Sequence, residues 1–325
     1  MSTDIGVVEL PELARLARAD LQRAVSMMTM ESTRRLVDMY YQIQEFRKAA
    51  DNHGRDEPGS VSQWVYDEMR RTEATIVRML DAHSDRFPAG RWAKSQYGIG
   101  PVLAAGLLAY LDVRRSRTAG GFWRFAGQDP SVEWLGVDKA AALIASYRGG
   151  ATGGKPTAAD IAALAALSNR RIPLDRDDPW TWLTLRKHLA RPPYNAKLKV
   201  LVWKIGQSFV KFSGHPECVY GHLYAERKAY EEIRNERGDY ADQAAAALTS
   251  KRWGENETKA CYEAGRLPPG RIVLRAQRYA AKLFLAHLHH VMFEVEYGKP
   301  PPRPYILEQE GHTHYLAPPG WPMAD

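Results

Sequence analysis

The chain has 325 residues, of which 45% are hydrophobic and 26% are charged. This length allows one large domain or two smaller ones, and no apolar run reaches the roughly 20 residues of a membrane span, which argues against a membrane protein. The formal net charge of +7 at pH 7 favours a polyanionic partner such as nucleic acid.

Cysteine content and the first residues indicate a compartment. Cys218 and Cys261 lie far apart in sequence, which predicts no disulfide framework and fits a reducing environment. Residues 1–10 lack a basic segment followed by an apolar one, so we expect no secretory signal. Together these features predict a cytoplasmic protein.

The first 90 residues contain two sets of apolar positions that alternate three and four apart, the pattern of a coiled-coil seam. The first set is Leu36, Met39, Ile43, Phe46 and Ala50, and the second is Val65, Met69, Thr72, Ile76 and Met79. Ser60 and Gln63 predict a capping box for the second helix. Region 1–90 is therefore predicted to be a long coiled-coil hairpin, which either packs within its own chain or pairs with a second copy. We expect a homodimer.

A Gly-x-Gly turn followed by proline occupies residues 98–101. We expect Gly98 and Gly100 to adopt positive φ, and Pro101 suits the first helical position because its missing N–H costs nothing there. The unpaired N–H groups of the turn, with the positive end of the helix dipole, would bind phosphate. The same residues also suit a second reading, in which the turn lets two helices pack closely.

Helical patterns continue beyond this turn and strand patterns are scarce, so the fold class is predicted to be mainly α. We predict helices over residues 157–168, beginning at a threonine cap, 194–212 and 271–297, and an alanine-rich helix with a connector over 239–270. Residues 172–193 are predicted to be irregular. Region 91–298 would form an all-α nucleic-acid-binding domain, and the proline-rich region 299–325 an extended tail.

Cations recur at helical spacing in the second predicted domain. One stripe consists of Arg271, Arg275, Arg278 and Lys282, another of Lys197, Lys204 and Lys211, and a cluster after the turn of Arg114, Arg115, Arg117 and Arg124. The first stripe has no interleaved acid before Glu294. Such faces suit a phosphate backbone, and the alternative is an ordinary solvated surface. Asn195 is expected to cap its helix and leave the N-terminus as another anion site.

The aromatic residues after the turn suit two roles, and the residue types used in catalysis are scattered. Trp123 and Phe125 either stack on unpaired bases or fill a core. The histidines and cysteines lack the paired spacing of a structural zinc site, so no metal ligand is assigned. The acids lie mainly on the predicted coiled-coil helices, and no serine has an evident base nearby. The sequence therefore predicts no catalytic residue and no cofactor.

Four elements occur in an order that resembles the Nop domain of box C/D ribonucleoproteins. They are the predicted hairpin, residues 98–105, residues 134–140 and residues 195–198. Residues 98–105 and 125–130 are also similar to the carboxy-terminal domain of IS110-type transposases. The chain departs from those transposases because it has no room for their RuvC-like catalytic domain, and Leu135-Gly136 lacks their serine.

The chain is most similar to the Tas proteins of TIGR systems that lack an attached nuclease. This resemblance implies a bacterial, archaeal or phage-encoded homodimer that holds a short guide RNA and directs it to target DNA, leaving room for a separately encoded nuclease. It places an RNA surface at Gly98, Gly100, Lys139, Asn195 and Lys197. The alternative is a transposase-derived recombination protein that recognises duplex or branched DNA through a helix-hairpin-helix.

Overall fold

The computed structural model describes residues 18–54, 60–151, 153–175, 177–250, 252–302 and 316–322. Within these residues the chain forms fourteen α-helices and one short 3-10 helix and contains no strand, which confirms the mainly α class. None of the described helices is long and apolar enough to cross a membrane.

The chain divides into two compact units. The first consists of Met1–Ser95 and Ile99–Asp112, and the second of Gln96–Gly98 and Val113–Asp325. The chain thus passes from the second unit to the first inside the Gly-x-Gly turn. The functional division at residues 90 and 298 stays a prediction.

The first unit contains five helices. They are α1 (Arg18–Ser26), α2 (Met30–Gly54), α3 (Val61–Asp85), α4 (Pro88–Ser95) and α5 (Pro101–Tyr110). Helices α2 and α3 form an antiparallel hairpin, because Thr33 Oγ1 lies 3.2 Å from His83 Nε2 while Arg47 pairs with Glu73 at 2.9 Å farther along. Its coiled-coil character stays a prediction.

The buried face of α2 differs from the predicted seam. Val37 is buried together with Ile76 and Leu80 of α3, and α5 packs on the same core. Met39 and Phe46 are 49% and 67% exposed, so these two seam residues do not pack inside the hairpin of the single chain. Arg47 faces α3 to reach Glu73, and consecutive helical residues are turned by about 100°, which carries Phe46 outward.

Ser60 forms half of the predicted capping box. Its hydroxyl accepts a hydrogen bond from the Gln63 N–H at 3.3 Å. The Gln63 side chain lies instead 3.5 Å from the Asp67 carboxylate, one turn farther along α3. The N-cap is therefore present, while the reciprocal bond of the box is replaced by a contact along the helix.

The second unit contains nine of the described helices and a 3-10 turn at Val113–Arg115. The helices are α6 (Ala119–Phe125), α7 (Gly136–Arg148), α8 (Ala158–Leu167), α9 (Trp182–Ala190), α10 (Ala196–Lys211), α11 (Val219–Glu236), α12 (Ala241–Ser250), α13 (Glu257–Glu263) and α14 (Pro269–Tyr297). Helix α14 packs against α6, α10 and α11. A separate core joins Ile144, Leu164 and Leu185 from α7, α8 and α9.

Two predicted assignments need correction in this unit. Residues 172–193 are not wholly irregular, because Thr181 and Thr184 cap each other at the start of α9 and Leu185 and Leu189 bury its inner face. Residues 239–270 contain two helices, α12 and α13, rather than one. Short helices of this kind take their stability from packing more than from propensity.

Part of the predicted tail packs on the second unit. The Gln96 side chain donates to the Pro319 carbonyl at 3.2 Å, and the Trp321 indole donates to Glu294 at 2.8 Å. Residues 303–315 and 323–325 of the tail lie outside the described residues.

Candidate nucleic-acid interface

The Gly-x-Gly turn uses its two glycines differently. Gly98 has φ of +94°, and its carbonyl accepts a hydrogen bond from the Ser208 hydroxyl at 2.6 Å. Gly100 has φ of −89° as the N-cap of α5, so the prediction of positive φ is confirmed for Gly98 and wrong for Gly100. An N-cap residue takes extended backbone, which every residue type can adopt. Gly100 is exposed and belongs to the first unit.

A cavity of about 510 Å³, here called the basic pocket, opens in the second unit. It is lined by Gly121, Arg124, Phe125, Val132, Asn169, Arg170, Arg171, His188, Pro192, Pro193, Tyr194 and Asn195. Three guanidinium groups belong to this lining, and none of the described residues that form it is acidic. The pocket brings three residues singled out from the sequence, Arg124, Phe125 and Asn195, together with three that sequence reasoning missed: Arg170, Arg171 and His188.

Asn195 joins two walls of the basic pocket. Its side-chain oxygen accepts from the Leu198 N–H at 3.0 Å and so caps α10 as predicted. Its own backbone N–H donates to the Phe125 carbonyl at 2.9 Å, which fixes the end of α6 beside the start of α10. The positive end of the α10 dipole therefore lies at the pocket wall.

Backbone carbonyls hold two of the pocket arginines. Arg170 Nη1 donates to the carbonyls of Leu189 and Arg191 at 2.6 and 2.7 Å. Burial lowers the Arg170 pKa, and the nearby Arg124 charge lowers it further. Arg124 in turn donates to the carbonyl and the side-chain oxygen of Asn169. Neutral carbonyls thus orient these cations.

The Arg124 charge also acts on Asp129. Burial alone would raise the pKa of this carboxyl, but hydrogen bonds from Ser131 outweigh burial and, together with the Arg124 charge, lower it. Because the described lining of the pocket itself contains no carboxylate, it suits an anionic ligand.

Aromatic rings stand at the rim of this pocket. Phe125 is 43% exposed, so its ring is accessible for stacking. Lys199 Nζ lies 4.0 Å from the centre of the Tyr194 ring. Trp123 is held differently, because its indole donates to the Lys282 carbonyl at 2.8 Å and Lys282 Nζ lies 4.3 Å from its ring centre.

The other predicted cations are dispersed over the second unit. Arg114 pairs with Glu296 at 2.6 Å, and Lys139 pairs with Glu133. The remaining members of these sets are exposed or half-buried: Arg115, Arg117, Lys197, Lys204 and Lys211. The apolar face predicted for α10 is confirmed, because Leu198, Val202, Ile205 and Phe209 are all buried.

The predicted stripe on α14 is only partly exposed. Arg271 and Arg278 are exposed, whereas Arg275 bonds to Glu231 of α11 at 2.8 Å and burial lowers the Lys282 pKa. The stripe contains no interleaved acid of its own, as expected, but Arg275 is not free to face solvent because it pairs with an acid from outside α14. The carboxylate comes from a neighbouring helix, which spacing within α14 cannot show.

Buried Glu231 is paired with several donors. Its carboxylate is 1% exposed and accepts from Arg227, Arg275 and the Tyr240 hydroxyl. Burial alone would raise its pKa, but these hydrogen bonds outweigh burial and lower it. The described residues contain no group of three or more histidine, cysteine, aspartate or glutamate side chains placed to hold a metal ion.

Comparison with protein-family models finds no match for this chain, and searches of curated proteins and of solved structures find none either. The fold and the basic pocket define an α-helical protein with a cationic cavity. The likeness to Nop-domain proteins stays a prediction based on residues 98–105, 134–140 and 195–198.

Proposed function

We propose that this chain binds a short structured RNA at the basic pocket and presents it as a guide for pairing with DNA. The observation that carries the proposal is the grouping of Arg124, Arg170 and Arg171 around a concave site with no acidic lining residue among those described. In this scheme the protein contacts the phosphates and the folded shape of the RNA, while base pairing between the RNA and the DNA selects the target sequence.

The shape of the pocket favours RNA over duplex DNA. The pocket is an open depression whose volume of about 510 Å³ has room for a group the size of one nucleotide. Structured RNA offers unstacked bases at bulges and kinks, whereas a regular duplex keeps its bases stacked inside. Phe125 at the rim would contact such a base while the arginines contact its phosphate.

The remaining partners in this proposal follow from the resemblance to the Tas proteins. They are a second copy of the chain, a target DNA and, where cleavage occurs, a separately encoded nuclease. The chain itself acts as a binding protein rather than an enzyme in this scheme. Magnesium-dependent cleavage abolished by one aspartate or glutamate substitution would contradict that part.

Nuclease digestion of the purified protein tests the choice of nucleic acid. We expect co-purifying nucleic acid to be degraded by RNase and to resist DNase. The opposite result would replace this proposal with the DNA-binding recombination protein.

A double variant tests the pocket itself. Arg124→Ala with Arg171→Ala should weaken binding of a bulged RNA hairpin and reduce its salt dependence by about one unit of slope per lost phosphate contact. Arg70→Ala, which removes an exposed arginine of α3, is the matched control and should bind like the unmodified protein. Equal affinity and slope in both variants would show that the pocket is not the RNA site.

A further inference from the structure

A line of alternating arginine and tyrosine side chains, here called the Arg–Tyr ladder, joins α11 and α14 with Tyr240, the residue just before α12. Its members in order are Tyr279, Arg227, Tyr230, Arg234, Tyr240 and Arg275. The Arg227 guanidinium carbon lies 4.9 Å from the ring centres of both Tyr279 and Tyr230. Arg234 lies 5.7 and 5.0 Å from Tyr230 and Tyr240, and Arg275 lies 4.4 Å from Tyr240.

The buried carboxylate of Glu231 holds three members of the ladder by hydrogen bonds. It accepts from Arg227 and from Arg275, each at 2.8 Å, and also from the Tyr240 hydroxyl. These bonds restrict the side-chain conformations on which the other members stack, so less entropy is lost when a ligand binds. Tyr230 and Tyr279 nevertheless remain 49% and 38% exposed.

Arginines outnumber carboxylates around the ladder, although Glu226 lies one turn before Tyr230 on α11. Helices α11 and α14 run antiparallel, since Arg227 contacts Tyr279 while Glu231 contacts Arg275. Arg271 and Arg278, one turn before and after Arg275, therefore share its side of α14. The guanidiniums of this face are Arg227, Arg234, Arg237, Arg271, Arg275 and Arg278. Among the described contacts of these arginines, the carboxylates are those of Glu231 and Asp239.

We propose that this face binds single-stranded RNA, with unpaired bases on Tyr230 and Tyr279 and phosphates at the surrounding arginines. Rings interleaved with cations are the arrangement that sequence-tolerant single-strand binding uses, because every base has a face that stacks. A protein partner uses the same residue types, tyrosine and arginine, but would give no ring-dependent preference for single-stranded over duplex RNA. The inference rests on the proposed function and assigns this face to an unpaired segment of the same RNA.

Substitution of Tyr230 tests the stacking role against a fluorescein-labelled U12 oligonucleotide and a 12-base-pair RNA duplex. Tyr230→Ala should weaken U12 binding at least about 5-fold, the lower end of the effect of losing one base–aromatic stack, and leave duplex binding within about 2-fold. Tyr230→Phe keeps the ring and should bind like the unmodified protein. Tyr297→Ala removes a 45% exposed tyrosine outside the ladder and should also have no effect.

The outcomes separate this inference from the proposed function. Unchanged U12 binding in Tyr230→Ala, with a melting temperature equal to that of Tyr230→Phe, would overturn the ladder while leaving hairpin binding at the pocket intact. Equal weakening of U12 and duplex binding would overturn stacking and leave only charge. Conversely, U12 binding that depends on Tyr230, without binding of the bulged hairpin, would support the ladder and contradict the proposed function. Should Tyr230→Ala fail to fold, Tyr279→Ala gives the same readout.

Discussion

Glu231 illustrates at the residue scale how the second unit accommodates its excess of positive charge. A carboxylate that is 1% exposed would be costly alone, but it faces Arg227, Arg275 and the Tyr240 hydroxyl. Because its folded pKa lies below the ordinary value of 4.5, its stabilising contribution is present above that pH and is lost on further acidification.

The first prediction concerns removal of this charge. Glu231→Gln should lower the free energy of unfolding by about 3 kcal/mol, because two guanidiniums lose their counter-ion in a half-buried site. Urea denaturation measures the change. Glu232→Gln, which alters the exposed pair with Lys228, should change stability by less than about 0.5 kcal/mol. Similar losses in both variants would contradict the assigned role.

The second prediction concerns His287. The Tyr220 hydroxyl donates to its Nδ1 and its Nε2–H donates to the Leu316 carbonyl, both at 2.8 Å, and burial lowers its pKa to about 4. Protonation of His287 is therefore easier in the unfolded chain than in the folded one. The contribution of neutral His287 to the free energy of unfolding is complete above about pH 6.5 and decreases as the pH falls toward 4.

Lowering the pH from 7 to 5 should reduce the free energy of unfolding by about 2 kcal/mol through protonation of His287. His287→Gln should lack that part of the pH dependence, whereas His222→Gln, at an exposed position of α11, should retain it. Unfolding in urea at the two pH values measures both. A pH dependence in His287→Gln equal to that of the unmodified protein would show that another group titrates.

At the element scale, the connection between α4 and α5 depends on the first glycine of its turn. A Cβ at Gly98 would lie 2.9 Å from the Ser208 hydroxyl oxygen, and its φ of +94° strains any L-residue. A Cβ at Gly100 would meet no atom within 4 Å. The requirement for glycine therefore falls on one position of the motif.

The third prediction uses this difference. Gly98→Ala should destabilise the protein by about 2 kcal/mol, because the backbone must change or carry strain. Gly100→Ser should stay within about 0.5 kcal/mol, since serine is a good N-cap. Thermal unfolding compares the two variants, and equal destabilisation would mean that the turn needs both glycines.

Helix boundaries were predictable where local chemistry defines them. Asn195 caps α10 and Thr157 caps α8 with a reciprocal bond to Asp160, both through bonds within one turn. Helix α11 was not predicted, because its buried positions include Tyr220, Tyr224 and Glu231 instead of aliphatic residues. Its inner face is recognisable only when Arg275 and Tyr240 are placed beside it.

At the scale of the whole molecule, exposed apolar residues on the hairpin bear on the proposed homodimer. Met39 and Phe46 are seven residues apart on α2, and both remain exposed in the single chain. This spacing places them on one side of the helix, available to a second copy. Burial of such side chains is a favourable contribution to association.

The fourth prediction is a change in oligomeric state. Light scattering should give about twice the chain mass of 36.7 kDa for the unmodified protein and a monomer for Phe46→Glu, because a buried unpaired charge opposes association. Leu174→Glu, at a 61% exposed position of the second unit, should remain dimeric. A monomeric unmodified protein, with and without RNA, would contradict the homodimer.

The sequence by itself determined the helical class, the caps of α8 and α10 and the buried face of α10, because these depend on backbone bonds and periodicity within a few residues. The tertiary structure decided which charges meet. Arg124 lies with Arg170 and Arg171 in one pocket. Arg275 was expected to be exposed but instead pairs with Glu231 of another helix. Such contacts join positions tens of residues apart in sequence. They depend on how the helices pack, which local sequence patterns do not specify.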